Sequence, residues 1–585
     1  MRKFLTLSVL LPVLALLPSP ALCKGMGNDG YMAKVKTQAI VNRLQGAGND
    51  GYLAKVKTLW LDSGNAAGLG TAPFLVFDSA DFSFDWQGGS FHQYQAPDDA
   101  LRLGFDTQGS ESVGKYFVWG HFNYGNSTDR GTRYNTLLYN PFDERMIYNV
   151  ADTTLSDFKR QSYEMEFKLS VPLGKRLYSG LHVSYCDRIS AKQQDPRSES
   201  VSYELLVAPS LALKLRKFST LGLDLGYARM QERANPSLSN TNQMQNVFVL
   251  KGLGNFVEDF IGSSGLRTMY YSSDSFRAGL QYALEGDIKL FTEARYGLHL
   301  TNLREDASQP KEIGLSTMNV LNMNSKMLFA SEGVLHKLAI NGLYRNTSGT
   351  EYASKAVPSV GWQVVSKAVM SKYSTASAGL SYEAFFSEGL VSEDSVREGS
   401  ERDASVSGGL EREGLVSEDS VREGSVTDAL VSEGTVREAG SYRWRFGASL
   451  DFWSKNDSYV SPVSGFEYSG IGVGISAGRQ FFFKASSLTL GLEAGADKSL
   501  SGSYSYQGAR AESRPVKEWY PHDLAVLSSD RIRAGFKGDY IQGIRHGMSL
   551  GISLQLSYLT PLVQENSMDD LGSRLGSRLS LSIFF

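Results

Sequence analysis

The residues that could do chemistry are few and scattered. Seven histidines (His92, His121, His182, His299, His336, His522 and His546) are spread over 585 residues, and none has the spacing of a metal site. His182 and Ser184 share one face if the chain is extended there, whereas His522 and Asp523 point apart, because successive strand residues alternate sides. A nucleophile needs a base within hydrogen-bond reach, and no pair in the sequence ensures one. Neither catalysis, nor a cofactor, nor a metal ion is expected. The better lead is a set of charges that alternate with large apolar residues: Glu164, Glu166, Lys168, Arg443, Arg445, Asp451 and Glu493. If their apolar neighbours meet lipid, these charges project into a lumen, where they would tune the selectivity of a diffusion channel.

Such an arrangement needs long strands, and the alternation supplies them. Tyr163, Met165, Phe167, Leu169, Val171 and Leu173 interleave with Glu164, Glu166, Lys168 and Ser170. After Gly174-Lys175 the pattern resumes through Leu177, Leu181, Val183 and Tyr185, a hairpin with a short connection. Leu221 to Ala228, Tyr442 to Phe452, Leu488 to Glu493 and Met548 to Tyr558 repeat it. Read as helices, these segments would spread polar groups all round. A soluble two-sheet sandwich also alternates. Here the apolar face is large on almost every strand and the opposite face is rich in glycine and serine. The chain also carries 29 Tyr and 30 Phe, as aromatic girdles require. The fold class expected is all-β: a single transmembrane antiparallel β-barrel of about 14–18 strands, best guess about 16, with short periplasmic turns and longer extracellular loops.

The two ends fit this reading. Met1-Arg2-Lys3 followed by an apolar run from Phe4 to Leu17 reads as a signal peptide over residues 1–23. The run is too short, and too interrupted by Pro12, Pro18 and Pro20, for a transmembrane helix. At the other end Leu579, Leu581, Ile583 and Phe585 share one strand face. A terminal aromatic strand of this kind is expected to be read by the barrel-assembly machinery. If cleavage falls after Cys23, Cys186 alone remains, which excludes a fold stapled by disulfides. A formal charge of −3 argues against a nucleic-acid partner.

Two duplications interrupt the pattern. GNDGYMAKVKT from Gly27 recurs as GNDGYLAKVKT from Gly48, within a short periplasmic or lumenal segment assigned to residues 24–62. That segment is too short for the plug domain of an active transporter, so energy-coupled import is not expected. The barrel is assigned to residues 63–585, interrupted at 387–440 by an acidic loop in which EGLVSEDSVREGS occurs twice, from Glu388 and from Glu413. From Glu388 to Glu438 this stretch holds 14 acidic residues against 5 basic ones and no aromatic. It cannot bury enough apolar surface to fold alone and is expected on the extracellular side. Its acidic pairs lack calcium-loop spacing.

The block Leu59-Trp60-Leu61-Asp62-Ser63-Gly64-Asn65-Ala66-Ala67-Gly68-Leu69, followed by tyrosine-rich strands, resembles a family of Bacteroidota outer-membrane β-barrel proteins of unknown function. The likeness carries no activity or site residues. Within it, Asn65-Ala66-Ala67-Gly68-Leu69 is also similar to the Asn-Pro-Ala-Gly-Leu element of hydrophobic-compound channels related to fatty-acid uptake, with Ala66 in the proline's place. That second likeness implies an N-terminal hatch beside a lateral opening between strands.

The reading is an outer-membrane barrel of a Gram-negative cell, in contact with outer-membrane lipid. A passive channel or binding barrel for small solutes is favoured. A non-transporting surface, adhesin or structural barrel that meets surface ligands is the alternative, and a hydrophobic-compound channel the third.

Overall fold

A computed structural model describes residues 59–71, 77–216, 218–240, 242, 244–261, 266–286, 288–305, 309–331, 334–386, 442–483, 485–544, 548–562 and 571–584. The signal peptide at 1–23, both copies of GNDGY(M/L)AKVKT, the acidic stretch 387–440 and Phe585 lie outside the described residues.

Period-two alternation becomes strand along almost the whole chain. In chain order the strands are β1 (Phe77–Gly88), β2 (Asp99–Val113), β3 (Tyr116–Thr132), β4 (Asn149–Ala151), β5 (Ser156–Pro172), β6 (Leu177–Lys192) and β7 (Arg197–Arg216). They continue as β8 (Ser219–Ser237), β9 (Gln245–Gly252), β10 (Asn255–Ile261), β11 (Met269–Glu285), β12 (Lys289–Glu305), β13 (Lys311–Ser331) and β14 (Val334–Val357). The last are β15 (Gly361–Phe386), β16 (Trp444–Tyr459), β17 (Ser464–Phe482), β18 (Ser486–Tyr506), β19 (Arg531–Gly543), β20 (Ser549–Pro561) and β21 (Arg574–Phe584). A 3-10 helix spans Ala66–Thr71, and an α-helix, α1, spans Tyr520–Leu527.

Eighteen of these strands form one antiparallel sheet, and β4, β9 and β10 form a small sheet of their own. The large sheet closes where β1 pairs with β21, setting Phe84 opposite Leu579, Phe82 opposite Leu581 and Ala80 opposite Ile583. Closure leaves no strand edge unpaired, which a sheet in lipid requires. The barrel therefore has 18 strands rather than 16, at the upper end of the expected range.

The outer wall is apolar. Leu221, Leu223, Leu225 and Tyr227 on β8 project outward, with Leu225 54% exposed, and Leu492 on β18 is 63% exposed. A soluble barrel would place polar groups there. Leu579 and Leu581 lie on the same outer face.

The two rims differ. At the rim where β1 begins and β21 ends, connections such as 114–115, 173–176, 332–333 and 483–485 are short. At the other rim lie the long connections 89–98, 133–155, 238–268 and 507–530. Two boundaries need correction. The lumenal segment runs on to Thr71 and the barrel begins at Phe77, not at residue 63, because the 3-10 helix packs against the inner wall. The acidic stretch was expected among the long extracellular loops, yet it joins β15 to β16 at the short-turn rim. Twelve barrel strands precede it, an even number, which returns the chain to the rim where it started.

Candidate functional site

The lumen is occupied at both rims, each time by chain that the sequence sends inward for a definable reason. At the short-turn rim, residues 59–71 carry a small apolar core of their own. Trp60 is fully buried with its ring edge-on to Phe291, the centroids 5.1 Å apart. Leu59, Leu61, Leu69, Phe117 and Trp119 complete the cluster. The backbone of the segment is satisfied by the wall. Lys168 donates to the carbonyls of Leu61 at 2.8 Å and Ser63 at 3.0 Å. Asn65 Nδ2 donates to Gln281 Oε1 at 2.8 Å and to the Leu211 carbonyl at 3.0 Å. Ser63 Oγ donates to Glu293 at 2.9 Å, and Ala67 N to Ser210 Oγ at 3.1 Å. Gly180 permits the approach: a Cβ there would come within 2.1 Å of the Ala67 nitrogen.

From the long-loop rim, residues 133–155 descend into the lumen and are tied to walls far apart around the barrel. Arg145 is fully buried, with Nη2 2.9 Å from Asp143 and Nη1 3.2 Å from Glu204 on β7. The adjacent Glu144 meets Arg345 on β14 at 2.7 Å and Lys455 on β16 at 3.3 Å. Burial alone would raise the Glu144 pKa, but Lys455 and Arg345 outweigh it and hold it at about 2. Leu137, Leu138, Met146, Tyr148 and Val150 pack this loop against β8, β11 and β12.

The β9–β10 hairpin then crosses the mouth. Its tip carries positive φ at Gly252, Leu253 and Gly254. Leu253 is driven into a cluster with Tyr459 and Phe466 on the far wall, and Asn255 Nδ2 donates to Ser464 Oγ at 3.0 Å. Helix α1 and the preceding Trp519 complete the cap. Tyr134 stacks on Trp519 with centroids 5.1 Å apart. Asp523 accepts from the Tyr94 backbone at 2.7 Å and from Trp519 Nε1 at 2.9 Å, linking the connections 89–98 and 507–530.

Burial pushes the Asp523 carboxyl up to about 6, against the lowering effect of its hydrogen bonds. Its pKa in the folded protein therefore lies above the ordinary 3.8. Between these values the folded cap holds a proton that the opened cap releases, so cap stability falls as pH rises through the window. Hydrogen-exchange protection factors of residues 89–98 and 515–527, corrected for the intrinsic pH dependence of exchange, are expected to be highest at or below about pH 4 and lower above about pH 6. Asp523→Asn should flatten that dependence; an unchanged slope in the variant would assign the effect elsewhere.

The charges singled out from sequence fall into three environments. Glu164 and Lys168 are buried in the wall, and Glu166 lies 3.8 Å from His182. Arg445 lies 3.9 Å from Glu383, and Asp451 is buried on the same face of β16. Glu493 stands opposite Ser476 and Gly535 and is exposed. Arg443 is exposed and precedes β16 at the short-turn rim. Sequence reasoning missed Asp143, Glu144 and Arg145, the residues that bind the inward loop to the wall. Their only signal was a run of three charged residues inside a long connection between strands. It also missed Ser275, whose Oγ lies 2.7 Å from His299 Nδ1. Both are buried, and the contact satisfies two interior polar groups.

With the geometry in place, comparison with known proteins adds a family. Residues 66–411 and 412–585 match a family described as a family of unknown function (DUF6850). The chain belongs to it. The matched region begins inside the 3-10 helix, so the lumenal helix falls within the family's own extent. No curated protein matches the sequence.

Among solved structures the chain is similar in outline to the outer membrane transporter YddB from Escherichia coli. The identity is 6%, the TM-score 0.36, and the match covers 88% of this chain and 81% of that one. BauA, the ferric preacinetobactin receptor from Acinetobacter baumannii, matches at 8% identity and TM-score 0.33, over 88% and 80% of the two chains. The FrpB iron transporter from Neisseria meningitidis matches at 9% identity and TM-score 0.33, over 89% and 83%. At these scores the likenesses carry no argument about what members of the family bind. The likeness to hydrophobic-compound channels is not supported: among the described residues every neighbouring pair of barrel strands is hydrogen-bonded, leaving no lateral opening beside Asn65.

One sector of the inner wall differs from the rest. The segment 59–71 rests on β3, β5–β8 and β11–β13, whereas the inner faces of β16–β21 and β1–β2 carry many small residues. Gly447, Ser476, Glu493, Gly535, Ser557 and Gly576 follow one another across β16–β21 in register, so small residues flank Glu493 on both sides. Most of its charges are neutralised locally, as in Arg578 with Asp85 at 3.2 Å and Lys537 with Asp539 at 2.9 Å.

Proposed function

We propose that this is an outer-membrane barrel that admits small hydrophilic solutes to a polar lumen, with passage limited by the loops across its mouth. The observation that carries the reading is the exposed inner face at Glu493, flanked by serines and glycines, opposite the sector filled by residues 59–71. Small side chains leave room for water, and in a barrel of this strand number the wall alone does not fill the interior. The outward apolar belt supports placement in a bilayer. No catalytic role is proposed.

The test is conductance of the purified chain in planar bilayers. Steady currents are expected, and Glu493→Lys should shift their selectivity towards anions by about twofold or more, because a charge reversal changes the field of a narrow aqueous path. An inert protein that still migrates as a folded, heat-modifiable barrel would sink the channel reading. A second reading, a surface barrel that meets ligands through its loops, is favoured by one observation. The long connections form an ordered cap with aromatic clusters at Tyr94, Tyr134, Trp519 and Tyr520.

A further inference from the structure

The outer wall holds a polar groove where an integral barrel should be plain. Outward residues on β8 run Leu221, Leu223, Leu225, Tyr227 and then Arg229, Gln231 and Arg233 towards the long-loop rim. On β11 the outward series ends Phe276, Asp274, Ser272, Tyr270, and on β12 it ends Leu298, Leu300, Asn302, Arg304. The apolar belt therefore stops at one level across three strands. Immediately beyond it lies a groove of about 380 Å³ lined by Arg229, Ser272, Asp274, Asn302, Arg304 and Tyr352.

The charges in and around this groove are unequal. Arg229 is neutralised by Asp274, which also accepts from Tyr227 Oη at 2.6 Å, and Arg229 Nη2 reaches Ser272 Oγ at 2.7 Å. This lower pair is a satisfied floor. Above it, Arg233 and Arg304 stand in register on either side of Tyr270. The Arg304 guanidinium lies 5.8 Å from the Tyr270 ring, and the Lys367 ammonium lies 4.4 Å from the Tyr352 ring. All three cations are exposed, and among the described residues none has a carboxylate partner. Of the nearby acids, Asp274 is held by Arg229, and Glu312, opposite Arg304 on β13, accepts from Asn302 Nδ2 at 2.9 Å.

We propose that this groove binds the phosphate of a lipid headgroup in the leaflet at the long-loop rim. Three features select that occupant. The groove faces away from the lumen, so whatever fills it arrives through the bilayer. It sits directly beyond Tyr227, Phe276 and Leu298 on β8, β11 and β12, among interfacial tyrosines of the kind found where headgroups begin. Its net charge is positive, and paired guanidinium groups offer the forked donors that phosphate oxygens accept. Leu300 and Leu315 in the floor would meet the first carbons of an acyl chain. The site does not depend on whether the lumen conducts.

Native mass spectrometry of the detergent-solubilised full chain tests it, with bisphosphorylated lipid A as probe and fully dephosphorylated lipid A as control. The wild type is expected to retain phosphorylated lipid and release the dephosphorylated form. Arg233→Ala with Arg304→Ala should lower retention about tenfold or more. Lys175→Ala, at an exposed position on the opposite rim, should leave it unchanged. Both variants alter exposed side chains, and heat-modifiable migration verifies that each is folded. Equal retention by the double variant overturns the site. Displacement of the lipid by inorganic phosphate at equal concentration also overturns it, because the groove would then recognise free anion rather than a headgroup.

Discussion

Trp60→Ala is expected to dislodge residues 59–71 from the lumen while leaving the barrel closed. The ring is fully buried between Phe291 and the Gly68 backbone. Truncating a buried aromatic of this size costs about 3–5 kcal/mol. The hydrogen bonds that remain, donated by Lys168, by Asn65 and by the Ala67 N–H to Ser210, are worth about 1 kcal/mol each and depend on the segment staying seated. The wall strands keep their own ladders, so heat-modifiable migration should change little. Protease cleavage between residues 59 and 71 should rise by about a hundredfold or more. If solutes pass beside the segment, bilayer currents should rise with it. Gly68→Ala should behave similarly, since its Cβ would meet the Trp60 ring at 2.0 Å. If the segment stays protected in both variants, the indole is not what anchors it.

Arg145→Ala should release the inward loop and weaken its pH dependence. The substitution leaves the Asp143 and Glu204 carboxylates enclosed without their cation, and breaking a buried pair from one side costs about 3–5 kcal/mol. In the wild type, burial pushes the Asp143 pKa up, but the Arg145 charge and hydrogen bonds prevail and hold it below the ordinary value of 3.8. The ionised pair therefore stabilises the loop above that value, and the contribution is lost as pH falls through the lower, folded value. Without the Arg145 side chain, the backbone N–H of residue 145 and the Arg188 charge still oppose burial, and the folded carboxyl titrates higher than in the wild type. The gain in loop stability with rising pH is then smaller. Hydrogen exchange across residues 133–155 at several pH values reads both effects. Arg145→Lys should be intermediate, because an ammonium keeps the charge but not the fork that spans Asp143 and Glu204. A variant loop as protected as the wild type at neutral pH would contradict this account.

How much of this was legible beforehand depends on the range of the interaction concerned. Alternation such as Leu221-Gly222-Leu223-Asp224-Leu225 is a local property, and it determined the strands, their outward faces and the all-β barrel class without help from the rest of the chain. The terminal alternation at Leu579, Leu581 and Ile583 likewise anticipated a strand, and its place is beside β1. Strand number was harder to read. β14 carries polar residues on both faces at mid-strand, Arg345, Asn346, Thr347 and Ser348, so periodicity alone does not show where such a strand begins and ends. The side on which the acidic stretch emerges follows from the parity of the strands before it, and one miscounted strand reverses that answer. Composition alone set the expectation for that stretch, and composition carries no information about parity.

The contents of the lumen were a matter for tertiary structure. Asn65 meets Gln281, Glu144 meets Arg345 and Lys455, and Arg145 meets Glu204. Each contact joins residues that no local pattern relates and that become neighbours only once the sheet has closed. The sequence by itself determined which residues face outward on most strands, because an apolar outer wall imposes a period of two on the strands that build it. Only the closed barrel decided which inward charges are paired beneath the loops and which, like Glu493, remain open to water, because that depends on what the rest of the chain places across the lumen.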